Sequence, residues 1–316
     1  MNQFEQFNKA IQVLEVAKNH YTLKPDINYF VGNTPHGGYL MAIMHKTLVT
    51  ALPHSTAISS SVQYLDRIDD ADISIEVEIL RISKGTSSGI VKIIQDNRIC
   101  VTLSGTCSDF EHMKGFDGIT TPFPEIFHEY DRNKYVKMNY DKISKGFTPS
   151  FIQQLECLIH PDHAWWNREI DNKSKDNKAR CSAFLEMEGG QPDQFCLSFY
   201  SDILPPVVCN KYGPLGWIPT ITLTTHIRQL PTTSELYTQF YTSEGNDSKR
   251  NVRVEHLINA VNSEFRFRNT SRTSYGFNVT ETLAGTPAVS NNNNNYNNNS
   301  NFDRALFYEA CGLTDL

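Results

Sequence analysis

The stretch Thr34-Pro35-His36-Gly37-Gly38-Tyr39-Leu40-Met41-Ala42-Ile43-Met44 restricts the possible folds of this chain more than any other. Pro35 ends whatever precedes it. Gly37 and Gly38 leave the backbone bare where a helix begins. From Tyr39 to Leu52 the side chains are apolar on nearly every side, interrupted by His45, Lys46 and a few threonines. A helix that is apolar all round belongs in an interior rather than on a surface. Its first N–H groups lack intrahelical partners and stand at the positive end of the helix dipole. Two glycines let a ligand come close to those donors. Taken alone, a Gly-Gly pair reads more readily as a turn feeding a core helix than as a binding loop.

The residues after the helix change that balance. Ser59-Ser60-Ser61-Val62-Gln63-Tyr64-Leu65 reads as a strand. Ile73-Ser74-Ile75-Glu76-Val77-Glu78-Ile79 alternates apolar and polar residues at period two, the pattern of a half-buried strand. Lys84 to Gly89 reads as a turn, Ile90 to Gln95 as a strand, Asp96-Asn97 as a turn, and Ile99 to Cys107 as the last strand of the run. An antiparallel meander with one apolar face needs a cover, which the buried helix supplies. The second half repeats the plan. Ala183 to Met187 reads as a strand, Asp193 to Val208 as a second, largely apolar helix, and Trp217 to His226 as the strand after it.

These motifs carry a resemblance. Pro35-His36-Gly37-Gly38-Tyr39-Leu40 and the strands Ser61 to Leu65 and Ile73 to Leu80 resemble the hotdog fold of acyl-CoA thioesterases. Asp202-Ile203-Leu204-Pro205-Pro206 and Trp217-Ile218-Pro219-Thr220 in the second half make the whole chain similar to the double-hotdog, thioesterase II-like family. The likeness implies an α+β fold of two tandem hotdog units, each a long buried helix wrapped by an antiparallel sheet. The expected division is an N-terminal unit over 1–112, a linker over 113–150 and a C-terminal unit over 151–316. Ser290 to Asn301 is almost pure Asn around Tyr296. Such a low-complexity insertion cannot bury enough apolar surface to order itself.

Composition bounds the partners. A net charge of −6 argues against a nucleic acid, which would want a basic face. No apolar run reaches the length of a membrane-spanning helix, so stable membrane insertion is not expected. The first residues lack the basic-then-apolar pattern of a signal peptide. Seven cysteines without a C-x-x-C pair read as reduced core thiols of a cytoplasmic protein. A peroxisomal location stays open, although Thr314-Asp315-Leu316 is not the Ser-Lys-Leu address. Hotdog sheets also leave room for a homo-oligomer.

The chemistry centres on Asp202, a carboxylate in a helical stretch that otherwise wants burial. Such a group is costly unless hydrogen-bonded or used. The alternative is an Asp that caps a helix break at Pro205-Pro206. The halves are complementary. The first has His36-Gly37-Gly38 but places His45 eight residues after Gly37. The second has Asp202 but places Gln194, without a glycine pair, eight residues before it. The resemblance then implies one complete site per chain. Gly38 or Gly37 supplies the oxyanion N–H, and Asp202 activates a water or, as a second route, attacks the carbonyl itself. Thr220 holds that water; by period two Thr222 and Thr224 share its strand face and could take its place. His36, Gly37, Tyr39, Trp217 and Thr222 are expected to line the acyl-CoA substrate, with the acyl chain in the channel between helix and sheet. No metal and no cofactor are needed.

One departure stands out. The family completes its water site with a Gln on a late strand, and Phe302 to Leu313 holds none; Glu309 is the nearest polar candidate. A non-catalytic acyl-CoA or lipid-binding protein is therefore an alternative. So is an enoyl-CoA hydratase-type enzyme using His226, which by alternation shares the Thr220 face. His160-Pro161-Asp162-His163 suggests a metal pair only weakly, because no third ligand is evident.

Overall fold

The computed structural model describes residues 1–113, 131–138, 148–164, 179–212, 219–244, 251–260 and 269–276. Trp217, the Asn-rich stretch and Glu309 lie outside them.

The N-terminal unit opens with helix α1 (Gln3–Ala10), capped by Asn2 in a reciprocal capping box with Glu5. A hairpin of β1 (Leu14–Ala17) and β2 (His20–Leu23) and a small ladder of β3 (Phe30–Val31) and β4 (Thr34–Pro35) lead to α2 (Gly37–Ala51). Nearly all of α2 from Gly38 to Leu48 is buried, as its apolar circumference requires. It stops at Leu52, whose extended backbone is what the residue before a proline prefers. The meander comes next: β5 (Thr56–Tyr64), β6 (Ile73–Ile82), β7 (Ser87–Gln95) and β8 (Arg98–Ser108). Strand β7 starts three residues earlier than its pattern suggests, so Gly89 is a strand residue and not a turn. The reason is packing: a Cβ on Gly89 would meet the Leu48 side chain at 3.2 Å, and one on Gly105 would meet it at 2.7 Å. The two glycines form a seat on the sheet for α2.

The C-terminal unit contains β9 (Val136–Lys137), β10 (Glu156–Ile159), β11 (Arg180–Glu186), α3 (Gln194–Tyr200), α4 (Val208–Tyr212), β12 (Thr220–His226), β13 (Glu235–Glu244), β14 (Asn251–Ala260) and β15 (Asn269–Gly276). β9 pairs with β10, so a part of the stretch read as linker belongs to the second sheet. The single helix expected over 193–208 is in fact two. Pro205 cannot donate to the carbonyl four residues earlier and its ring clashes there. The Ser201 hydroxyl competes for backbone as well, donating to the Ser198 carbonyl at 2.6 Å. Asp193 caps the start of α3 by accepting from the Phe195 and Cys196 N–H groups.

Among the described residues the two sheets fuse into one of 13 strands, ordered β1-β2-β6-β7-β8-β5-β12-β15-β14-β13-β11-β10-β9. The seam is β5 against β12, antiparallel, with Val62 opposite Leu223 and Ser60 opposite Thr225. The core helices α2 and α3 pack against each other across this seam. α1 adds a strap between the units: the Phe4 N–H donates to the Glu188 carbonyl at 3.1 Å, and Phe7 stacks on Phe199 of α3 with centroids 5.3 Å apart. The six cysteines among the described residues are buried free thiols.

Candidate active site

Where α3 ends, Asp202 falls in a turn closed by its own N–H reaching the Phe199 carbonyl at 3.4 Å. That turn lies on the first turn of α2. The approach is close enough to account for both glycines. A Cβ on Gly38 would stand 2.4 Å from the Phe199 carbonyl oxygen, and one on Gly37 would stand 2.6 Å from Asp202 Oδ2. The pair is therefore required by helix contact as well as by any ligand.

Among the described residues, four groups surround the carboxylate. Thr220 Oγ1 donates to Oδ1 at 3.0 Å. The Gly38 N–H faces the same carboxylate and helps to lower its pKa. His36 Nε2 lies 3.6 Å from Oδ2 and 2.9 Å from the Asp202 main-chain oxygen. Tyr64 lies beside them, its phenol donating to the Gly37 carbonyl at 2.7 Å. Burial raises the Asp202 pKa above that of an ordinary aspartate, and His36, Thr220 and Gly38 hold the rise in check. Burial likewise depresses His36, which Asp202 partly opposes. A carboxylate with a raised pKa, poised at a helix N-terminus, is suited to take a proton from water.

Asp202, Thr220, Gly38, Gly37 and His36 are thus brought together. Tyr39 is not. It is 0% exposed, its ring stacks on Tyr29 at 4.8 Å, and its hydroxyl bonds Ala10 O and Asp26 N. One residue beyond Gly38, the helix has already turned it away into the core. Thr222 is displaced for another reason. A bulge between Thr220 and Thr222 interrupts the register with β15, and a bulge re-aims side chains. Leu223 and Thr225 then face the core, while Thr222, Thr224 and His226 share the opposite face. Period-two alternation across this bulge therefore misplaces Thr222 and Thr224. His226 bonds Ser59 at 3.2 Å. It is six residues, roughly 20 Å of strand, from Thr220, so it does not join Asp202 as the hydratase alternative would need. The Gly38 N–H, expected to be open for an oxyanion, faces the Asp202 carboxylate.

Sequence reasoning misses three contributors: Tyr64, Phe151 and Phe199. Tyr64 stands in a strand that the sequence does mark. Phe199 has the helical spacing of a core residue and gives no signal of its place beside Asp202. The strand beside Thr220 is β15, with Tyr275 opposite Thr220 and Ser274 opposite Thr222. Its sequence, NTSRTSYG, contains no Gln. Among the described residues no group of three His, Cys, Asp or Glu side chains converges as metal ligands would. His160 and His163 bond the neighbouring backbone instead, through Asp162 N and Ser182 N.

A second crossing lies where the pattern repeats. His45 occupies the place of Asp202 and Gln194 that of Gly37. Both ring nitrogens of His45 meet hydroxyls, Ser198 at 2.6 Å and Ser60 at 2.7 Å, and Ser60 continues to Thr225 at 2.9 Å. Burial lowers the His45 pKa to about 4. Gln194 accepts from Ala57 N and donates to Ser55 O.

Two unlike halves, each with a buried core helix on an antiparallel sheet, define a double-hotdog protein, and among the described residues the Asp202 carboxylate meets the glycine-opened start of α2. Comparison with known proteins agrees. Residues 26–108 match the family model of the acyl-CoA thioesterase N-terminal domain, and residues 132–254 match that of the C-terminal domain. The chain belongs to the double-hotdog acyl-CoA thioesterase family. No curated protein matches it by sequence. Similar solved structures include one designated thioesterase II from Thermobifida fusca, 20% identical, covering 88% of this chain and 100% of its own, with a TM-score of 0.72. A hot dog fold protein of unknown function from Alicyclobacillus acidocaldarius is 15% identical over 86% of this chain and 97% of its own, with a TM-score of 0.70. A tesB protein from Mycobacterium avium subspecies paratuberculosis is 11% identical over 87% and 99%, with a TM-score of 0.65. At such identities these structures speak for the fold. No helix among the described residues is long and apolar enough to cross a membrane.

Proposed function

We propose that this chain hydrolyses acyl-CoA thioesters to a free acid and CoA, with Asp202 as the general base. The observation that carries the reading is the largely buried Asp202 carboxylate, held by Thr220 Oγ1 at 3.0 Å and resting on the Gly37-Gly38 start of α2. The thioester carbonyl would dock at the positive end of α2. There it competes with the carboxylate for the Gly38 N–H and finds the Gly37 N–H beside it. Asp202 takes the proton of a water oriented by the Thr220 hydroxyl. The hydroxide attacks the carbonyl carbon, the oxyanion forms at the helix start, and collapse expels the CoA thiolate, which takes up a proton. On this reading Asp202 and Thr220 carry the water chemistry without a late-strand Gln.

The test is thiol release by the purified protein from short, medium and long acyl-CoAs, with the acid product identified by mass spectrometry. Release of thiol and free acid in equal amounts is expected. Acyl-CoA binding without thiol release would replace the hydrolase with a binding protein, and a hydrated acyl-CoA product would point to the hydratase class.

A further inference from the structure

His36 is gripped on several sides, and its bonds are not those of a helix cap. Its backbone N–H donates to the Tyr29 carbonyl at 2.9 Å. Its ring lies 4.4 Å from the Phe151 ring and edge-on to Phe199 at 5.4 Å, with 5% of the residue exposed. It occupies the N-cap position of α2 yet makes no side-chain capping bond. Its one close polar contact crosses to the other unit, from Nε2 to the Asp202 main-chain oxygen at 2.9 Å. A carbonyl oxygen only accepts, so Nε2 carries the proton. Burial keeps the ring neutral, so Nε2–H is its single N–H and Nδ1 is a bare lone pair. That Nδ1 atom is buried and has no hydrogen-bond partner among the described residues. An unpaired buried acceptor costs about 1–3 kcal/mol, so the stability of α2 alone gives no reason for a histidine here.

We infer that His36 is a positioning residue for the base: its neutral Nε2–H holds the Asp202 turn by the main-chain carbonyl and leaves the carboxylate unneutralised. The inference rests on the hydrolytic role proposed for Asp202. Nε2 is 3.6 Å from Oδ2, and its proton is committed to the main chain. A cation at that distance would lower the carboxyl pKa and weaken the base. The other groups at the carboxyl, the Thr220 hydroxyl and the Gly38 N–H, are uncharged. Phe151 and Phe199 fix the ring plane, which is how a neutral donor can be aimed at one oxygen of the turn and not another.

The test compares His36→Phe, which keeps an aromatic ring but no N–H, with His36→Gln, which keeps an N–H of comparable reach. In His36→Phe, kcat should fall about ten-fold, the loss of one such bond, with KM little changed. The Asp202 carboxyl, followed by 13C NMR, should titrate higher, because one of the groups that oppose its burial shift is gone. His36→Gln should restore both. In the wild type, ring 15N shifts should place the proton on Nε2. A proton on Nδ1 overturns the inference, as does a His36→Phe protein with wild-type kcat and wild-type Asp202 titration, or a loss that Gln does not repair. If His36→Phe does not fold, the wild-type ring spectrum and His36→Gln still decide. Absence of thiol release from the wild type would overturn the hydrolase reading instead. The two NMR readouts would then judge the positioning of Asp202 by themselves.

Discussion

The crossing at Asp202 and the crossing at His45 share one frame, a core helix of each unit packed against the other beside the β5–β12 seam. At one, glycines let a turn come down on the helix start, and a carboxylate is held by a hydroxyl, a backbone N–H and a neutral imidazole's reach. At the other, Gln194 fills the glycine position and ties itself to Ser55 and Ala57, while His45 sits neutral between two hydroxyls. The first keeps a group whose charge is costly to bury. The second replaces charge with a satisfied neutral network, which is the less expensive way to fill a buried polar site. On the proposed mechanism the difference teaches that the repeat divided its duties: one crossing would carry the reactive chemistry, and the other fastens the two units in register.

The comparison can be broken most severely at Gly38. An added Cβ meets the Phe199 backbone oxygen at 2.4 Å, and backbone cannot step aside. Gly38→Ala should therefore cost about 3 kcal/mol of stability and most of the activity, read by denaturant unfolding and thiol release. A protein unaffected in both would mean that the glycine is not set by contact with α3.

The fastening crossing is sensitive to acid. The native His45 pKa, about 4, lies below the unfolded value of 6.5, so the unfolded chain binds the proton more readily. Stability from this group is complete above 6.5 and is lost as pH falls toward about 4, by up to about 3 kcal/mol. His45→Gln should flatten that part of the stability–pH curve, measured by thermal melts between pH 7 and 4. An unchanged slope would show that other groups set it.

A smaller effect is expected at Thr220. Thr220→Val removes one hydroxyl bond to the carboxylate at 3.0 Å. It should lower kcat roughly ten-fold while leaving the melting temperature within a few degrees. An equal substitution at Thr222, on the opposite face of β12, should do little. Reversal of that ranking would restore plain alternation through the bulge.

Much of this was legible in the chain. The apolar circumference of α2, the period-two strands and the glycine pair each express a local rule, and the Asp202 and Thr220 motifs sit within sequence that carries the family likeness. The rest depends on contacts between distant segments. Nothing local to Gly89 marks it as a seat for Leu48, so the turn before β7 reads as longer than it is. The break at Tyr200 is set by Pro205 and Pro206, which are visible, but whether a helix resumes after them is decided by packing. The bulge at Thr220 arises from register with β15, a partner some fifty positions later in the chain, and it moves Thr222 off the site. Tyr39 and His36 are three residues apart, yet one points at Ala10 and the other at Asp202, because the unit's own N-terminal segment and the opposite unit claim different faces.

The central claim is that a single carboxylate at one of the two crossings does the chemistry. Asp202→Asn tests it most directly, since Asn keeps the shape and one acceptor for Thr220 and Gly38 but cannot take a proton. With folding confirmed by an unchanged melt, thiol release from the preferred acyl-CoA should fall by about 10²–10⁴-fold, the range for loss of a general base. An Asp202→Asn protein that turns over at the wild-type rate would contradict the account and move the chemistry away from this crossing.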